Sequence, residues 1–309
     1  MQTVKQHIII HEVGLRDGLQ IEKQPVPFDI KKLWVNRLFE SGVKMIQLGS
    51  FVHPVRVPQM ADTDRLFTGV LKSGRKPADV ILSGLVLNEK GLDRGLDCGV
   101  EMFCMGVSAS NTHSQKNTGM STAEALERIV PIAKRAIQEG KRVQVSVQSA
   151  FGCGFEGVIE KNKVIDIVKT YLDAGLLSIS LADTAGYAFP EQVTELYGSI
   201  KELDNNIEPA CHFHDTFGTG IANCLAAYRA GVTCFESAFG GLGGCPFTKI
   251  SSGNVCTEDL VYLFSRQGVP DLPGLEKLIE LTNDISSQLG RELSGRLYKT
   301  GIPIILKGQ

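Results

Sequence analysis

Two histidines two residues apart, His212 and His214 in ACHFHDTFG, and an adjacent arginine and aspartate, Arg16 and Asp17 in IIIHEVGLRDG, have the types and spacing to do chemistry. On a strand, residues i and i+2 leave the same face, so the two imidazoles can converge. With one carboxylate they define one side of a divalent cation and leave other positions for water or substrate, as a catalytic metal requires. Such a mixed oxygen and imidazole set accommodates Mg²⁺, Mn²⁺, Co²⁺ or Zn²⁺. An isolated HxH pair can equally be structural, hydrogen-bonded near a strand end, and it is the RD pair ending another strand that favours a metal. Asp215 can act behind the ligands or cap the helix that follows DTFGTG.

Other polar residues gather at the ends of apolar runs. Asp183 and Thr184 close SISLADTAG, and Gln47 and Ser50 lie near the end of MIQLGSF. In AFGGLGGCPFTKISSGNVCTEDL, four glycines in five residues are expected to form a mobile loop that ends at Cys245 and closes over substrate. A thiol there is exposed and able to act as acid or base, whereas a tight glycine turn with an incidental cysteine is the alternative. Asn254 is expected to begin the next helix, either as a neutral oxygen ligand or as an N-cap.

These residues need elements to position them. Short β-rich runs near 7–13, 45–51, 78–86, 101–108, 142–150, 176–184, 208–215 and 232–240 alternate with helical stretches such as 29–41, 121–139 and 161–174, the pattern of repeated βα units. Gly42, Gly140, Gly175 and Gly231 stand between helix and strand, where a residue without Cβ caps a helix cheaply. The recurring unit favours a closed TIM (β/α)₈ barrel over an open doubly wound sheet. One catalytic domain over 1–309 is expected, with the barrel at about 7–268 and a C-terminal helical extension at about 269–309. Active sites of such barrels lie at the C-terminal ends of the strands, where the residues above fall, and strands one and seven are both odd, so Asp17 can meet His212 and His214 at one level.

Composition narrows the class. With 43% hydrophobic and 21% charged residues and a formal net charge of -2, the chain reads as a globular protein without a basic field for nucleic acid or an anionic membrane. The first residues lack a signal-peptide apolar run and no stretch approaches the ~18 apolar residues of a membrane span, so a cytoplasmic location is expected, or a matrix one if a transit segment has been removed. Eight cysteines without CxxC spacing suggest free thiols rather than a disulfide framework or zinc ribbon.

Taken together, GLRDGLQIEK, SFVHPVRVPQMADTD, SAFGCGFEG, SLADTAG, HFHDTFG and GLGGCPFTKISSGNVCTEDLVYL resemble the 3-hydroxy-3-methylglutaryl-CoA lyase family, within the larger group of barrel metallolyases and Claisen-type synthases, over residues of about 8 to 268. The resemblance implies Asp17, His212, His214 and Asn254 as ligands of Mg²⁺ or Mn²⁺. It implies Arg16 as the group that stabilises the enolate of the departing acyl-CoA, Cys245 as the acid for that carbanion, and Asp183 as support for the substrate hydroxyl or proton traffic. Gln20, Lys23, Ser50 and Ser180 align with residues lining the family's pocket. The implied reaction is retro-Claisen cleavage of a 3-hydroxy-3-methylacyl-CoA to acetyl-CoA and acetoacetate, by a homodimer.

One departure bears on the substrate. Where the family carries Glu at the end of strand two, this sequence has Gln47, which keeps an acceptor oxygen and loses a negative charge near Arg16. Two further readings follow. One is a related lyase or synthase acting on another 3-hydroxyacyl-CoA, or on a 2-oxo acid plus acyl-CoA, whose own carboxylate takes the uncharged position. The other is a catalytically silent metal- or CoA-binding protein.

Overall fold

A computed structural model of the protein describes residues 6–244 and 253–306. Eight parallel strands close on themselves in chain order: β1 (Ile9–Glu12), β2 (Met45–Ser50), β3 (Ile81–Leu85), β4 (Met102–Ser108), β5 (Arg142–Gln148), β6 (Ser178–Asp183), β7 (Glu208–Phe213) and β8 (Cys234–Ser237). Closure is made by β1 against β8, with Ile9 opposite Cys234 and Glu12 opposite Ser237. The helices are α1 (Phe28–Ser41), α2 (Thr63–Lys72), α3 (Glu89–Cys98), α4 (Asn111–Thr118), α5 (Thr122–Gln138), α6 (Lys161–Asp173), α7 (Pro190–Lys201), α8 (Gly220–Arg229), α9 (Thr257–Gln267), α10 (Leu275–Leu289) and α11 (Leu297–Thr300). The fold is the expected TIM barrel, and each of the eight expected strands is present.

The glycines expected at helix ends do that work. Gly42, Gly140, Gly175 and Gly231 all have φ between 71° and 97°, which turns the chain from helix back to strand. Strand alternation then sorts side chains into two layers. Outward residues such as Ile46, Leu82, Phe103, Val145, Ile179 and Phe235 are fully buried against the helices and form the main core. Inward, a small apolar cluster of Met45, Met102 and Cys104 fills the base of the barrel. Above it the inward positions become polar, and that change of chemistry along the barrel axis marks the site.

The C-terminal segment packs α10 against both α1 and α9. No helix among the described residues is long and apolar enough to cross a membrane. The seven described cysteines are all free.

Candidate active site

The turn after β1 sets the first two site residues. The Val13 carbonyl takes three successive amides, from Arg16 at 3.0 Å, Asp17 at 2.8 Å and Gly18 at 3.3 Å, which winds Gly14–Gly18 into one π-helical turn. The expectation that strand one ends on Arg16 and Asp17 is therefore corrected: β1 stops at Glu12, and the wide turn carries both side chains over the barrel mouth. There Arg16 donates to Asp17 through a guanidinium nitrogen and to the Gln47 side-chain oxygen through Nε.

β7 supplies His212, and His214 follows just past its end, bridged to Asn254. Their Nε2 atoms lie 3.1 Å apart, and Asp17 Oδ2 is 3.8 Å from each. One ligand atom from each of the three residues falls within 4.8 Å of the others, so this trio can hold a metal ion. His212 Nδ1 donates to Glu236 Oε2 at 2.9 Å, leaving Nε2 as a lone pair. Two ring nitrogens this close need a proton or a cation between them.

Asn254 completes the fit. Its Nδ2 donates to Asp17 Oδ2 at 2.8 Å and to the Leu242 carbonyl at 2.9 Å, while its Oδ1 is buried and has no partner among the described residues. An unpaired buried acceptor costs about 1–3 kcal/mol, which a coordinated cation would relieve. The expectation that Asn254 begins a helix is corrected. Residues 253–256 run extended because Gly253 and Val255 pair with the chain around Asp215, Phe213 and Ala238 at 2.9–3.1 Å, and α9 starts only at Thr257. Gly243 (φ 100°) makes the close approach: a Cβ there would sit 2.6 Å from Asn254 Nδ2.

Glu236 is the site residue that sequence reasoning missed. Inside the barrel its carboxylate takes His212 Nδ1, Ser180 Oγ at 2.8 Å and Gln144 Nε2 at 3.3 Å. Burial pushes this carboxyl up, but the His212 bond and charge more than reverse that and hold it at about 2. The arrangement fixes the imidazole tautomer and raises its basicity as a ligand. An acid in the inward phase of the apolar run VTCFES, two residues from Cys234, was the available signal. Burial also opposes ionisation of Asp17, yet the Arg16 guanidinium and the two histidines keep it well below the usual carboxylate range.

A cavity of about 230 Å³ opens over this centre, lined by Arg16, Asp17, Gln20, Gln47, Gln144, Gln148, Ser180, His212, His214, Glu236 and Gly244, among others. Gln20, Gln47 and Ser180 thus reach the site. Lys23 lies outside it, in an adjoining groove of about 620 Å³ with Arg291 and Lys299. Ser50 is fully buried and does not line the cavity. Asp183 has both oxygens on loop amides, from Tyr187 at 2.8 Å and Ala188 at 3.1 Å, and burial raises its carboxyl. Asp215 accepts from the Gly220 amide, the first of α8, at 2.7 Å, while the N-cap position itself is Thr219. Cys245 lies outside the described residues.

Fold and site together define a TIM-barrel centre in which one carboxylate and two imidazoles, close enough to hold a cation, lie beside an arginine. The chain belongs to the HMGL-like family, whose family model matches residues 7–285. It is 34% identical over 289 residues to the hydroxymethylglutaryl-CoA lyase YngG of Bacillus subtilis, covering 94% of this chain and 95% of that one. It is 35% identical over 300 residues to the (R)-citramalyl-CoA lyase of Chloroflexus aurantiacus, covering 95% of each. A solved HMG-CoA lyase from A. baumannii, in complex with coenzyme A and 3-methylmalate, superposes with a TM-score of 0.92 at 37% identity over 99% of both chains. These relatives are carbon–carbon lyases, and the chain is an enzyme of that class.

Proposed function

We propose that the protein is a divalent-metal-dependent lyase that cleaves 3-hydroxy-3-methylglutaryl-CoA into acetyl-CoA and acetoacetate by retro-Claisen chemistry. The observation that carries this reading is the convergence of Asp17, His212 and His214 beside Arg16, with the orphaned Asn254 oxygen next to them. Mg²⁺ or Mn²⁺ is the proposed ion, with Asn254 the fourth ligand. A divalent ion held there supplies Lewis-acid charge that lowers the cost of ionising a tertiary hydroxyl and fixes the neighbouring carboxylate.

The chain's own residues supply the rest. Arg16 offers planar donors to the enolate of the departing thioester, and its bonds to Gln47 and Asp17 orient it beforehand. Gln20 and Ser180 bound the acyl pocket. Lys23, with Arg291 and Lys299 in the outer groove, faces the anionic CoA moiety. Cys245 delivers a proton to the carbanion, and Asp183 takes part in proton traffic only if one of its two amide bonds opens. A homodimer in the cytoplasm belongs to the same proposal; light scattering tests the assembly.

Gln47 favours one second reading. Its oxygen is committed to Arg16, so its amide nitrogen is a donor where an acid would be an acceptor. That suits a substrate carboxylate at this position, as in a shorter 3-hydroxy-3-methylacyl-CoA of the citramalyl type. A panel of CoA esters with saturating Mn²⁺, read by mass spectrometry, separates the two. Acetoacetate from HMG-CoA supports the first reading and pyruvate from citramalyl-CoA the second. Thermal stabilisation by metal and CoA without turnover of any ester would mark a silent binding protein.

A further inference from the structure

Glu12 ends β1 with its side chain fully buried on the outward phase of the strand, opposite in phase to the inward His11. Its Oε1 accepts from the amides of Gly14 at 2.7 Å and Phe239 at 3.0 Å, and its Oε2 accepts from Thr257 Oγ1 at 2.6 Å. Each donor belongs to a different segment that carries part of the site. Gly14 opens the turn of Arg16 and Asp17. Phe239 opens the short turn Phe239–Gly241, after which the Leu242 carbonyl and Gly243 meet Asn254. Thr257 starts α9, three residues beyond Asn254.

Burying a carboxylate is costly, and burial pushes this one up to about 8. An apolar residue would fill the space without that cost, but it would leave the Gly14 and Phe239 amides without their acceptor. The packing around the tie is close: a Cβ on Gly14 would lie 2.6 Å from Glu12 Oε1 and 2.8 Å from the Phe239 ring.

We propose that Glu12 is a positioning residue for the cation site, holding the Asp17 turn and the Asn254 segment in the relative placement that lets their side chains meet. The inference rests on the metal reading above. The tie works through acceptor geometry rather than charge. Thr257 Oγ1 is also 2.8 Å from Ser237 Oγ, so the hydroxyl pair can reverse its donors and accept from Glu12 when the acid is protonated. Glutamine can replace it on the same terms, with Oε1 on the two amides and Nε2 donating to Thr257.

The test is Mn²⁺ titration by calorimetry of the full chain as wild type, Glu12→Ala, Glu12→Gln and Thr257→Val, with folding checked by circular dichroism. Glu12→Ala is expected to weaken Mn²⁺ binding about 10- to 100-fold, Glu12→Gln to recover to within about threefold of wild type, and Thr257→Val, which cuts one tie, to fall between. A folded Glu12→Ala with wild-type affinity overturns the proposal, as does a Glu12→Gln as weak as Glu12→Ala. If Glu12→Ala does not fold, Thr257→Val decides: weakened binding supports the proposal and unchanged binding overturns it. A wild type that binds no Mn²⁺ overturns this proposal and the metal reading together, whereas a binding wild type with unaffected variants overturns the positioning role alone.

Discussion

Single atoms decide how the centre is wired. The proton on His212 Nδ1 is committed to Glu236, and that one bond turns Nε2 toward its neighbours as a lone pair. Glu236→Gln keeps the size and an acceptor but removes the charge, so Mn²⁺ affinity is expected to fall about 10- to 100-fold in a titration, with the fold intact. Unchanged affinity would show that the carboxylate is not needed. Gln47 is the other informative atom set. Gln47→Glu places a second acid on Arg16, and it is expected to raise kcat for HMG-CoA while depressing turnover of any ester whose own carboxylate uses that position. Equal loss on both esters would contradict this. Of these residues, Asp17, His212 and His214 were legible because a carboxylate and paired imidazoles in the segments that close apolar runs form a recognisable pattern. Glu236 was not, because one acid in an apolar strand reads as an exception until the barrel shows which way it faces.

At the scale of elements, the strands and helix ends were legible because their signals are local: β-rich runs and glycines at helix ends. The two corrections have tertiary causes. GLRDG contains nothing that specifies three amides on one carbonyl, and NVCTEDL looks like a helix start until Gly253 and Val255 are paired across the ends of β7 and β8. Where the chain passes Gly243, with φ at 100°, the backbone runs close against the Asn254 side chain. Gly243→Ala is expected to cost about 1–3 kcal/mol of stability from backbone strain, measured by urea denaturation. It should also weaken Mn²⁺ binding by displacing Asn254, and a variant with wild-type stability and affinity would contradict the close approach.

For the whole molecule, two buried acids outside the cavity contribute to the response to pH. Burial raises Glu12 from 4.5 to about 8 and Glu258 from 4.5 to about 7, the latter with its Oε2 on the Gly240 amide and its Oε1 unpaired among the described residues. Groups whose folded pKa lies above the unfolded value bind protons more tightly in the folded state. Their contribution is fully present below pH 4.5 and is lost as pH rises through about 7 and then about 8. The melting temperature, followed by scanning fluorimetry at constant ionic strength, is expected to decline over that window, and Glu258→Gln to flatten its lower half. An identical profile in the variant would remove Glu258 as a cause.

We propose that the Asp17, His212 and His214 centre runs an acyl-CoA cleavage that depends on a divalent ion. The most direct measurement is acetoacetate and acetyl-CoA release from HMG-CoA by protein stripped with EDTA, before and after Mn²⁺ is returned. No turnover is expected in the stripped protein, with recovery once Mn²⁺ is returned. Full turnover in chelator, or none of HMG-CoA at saturating Mn²⁺, would contradict it.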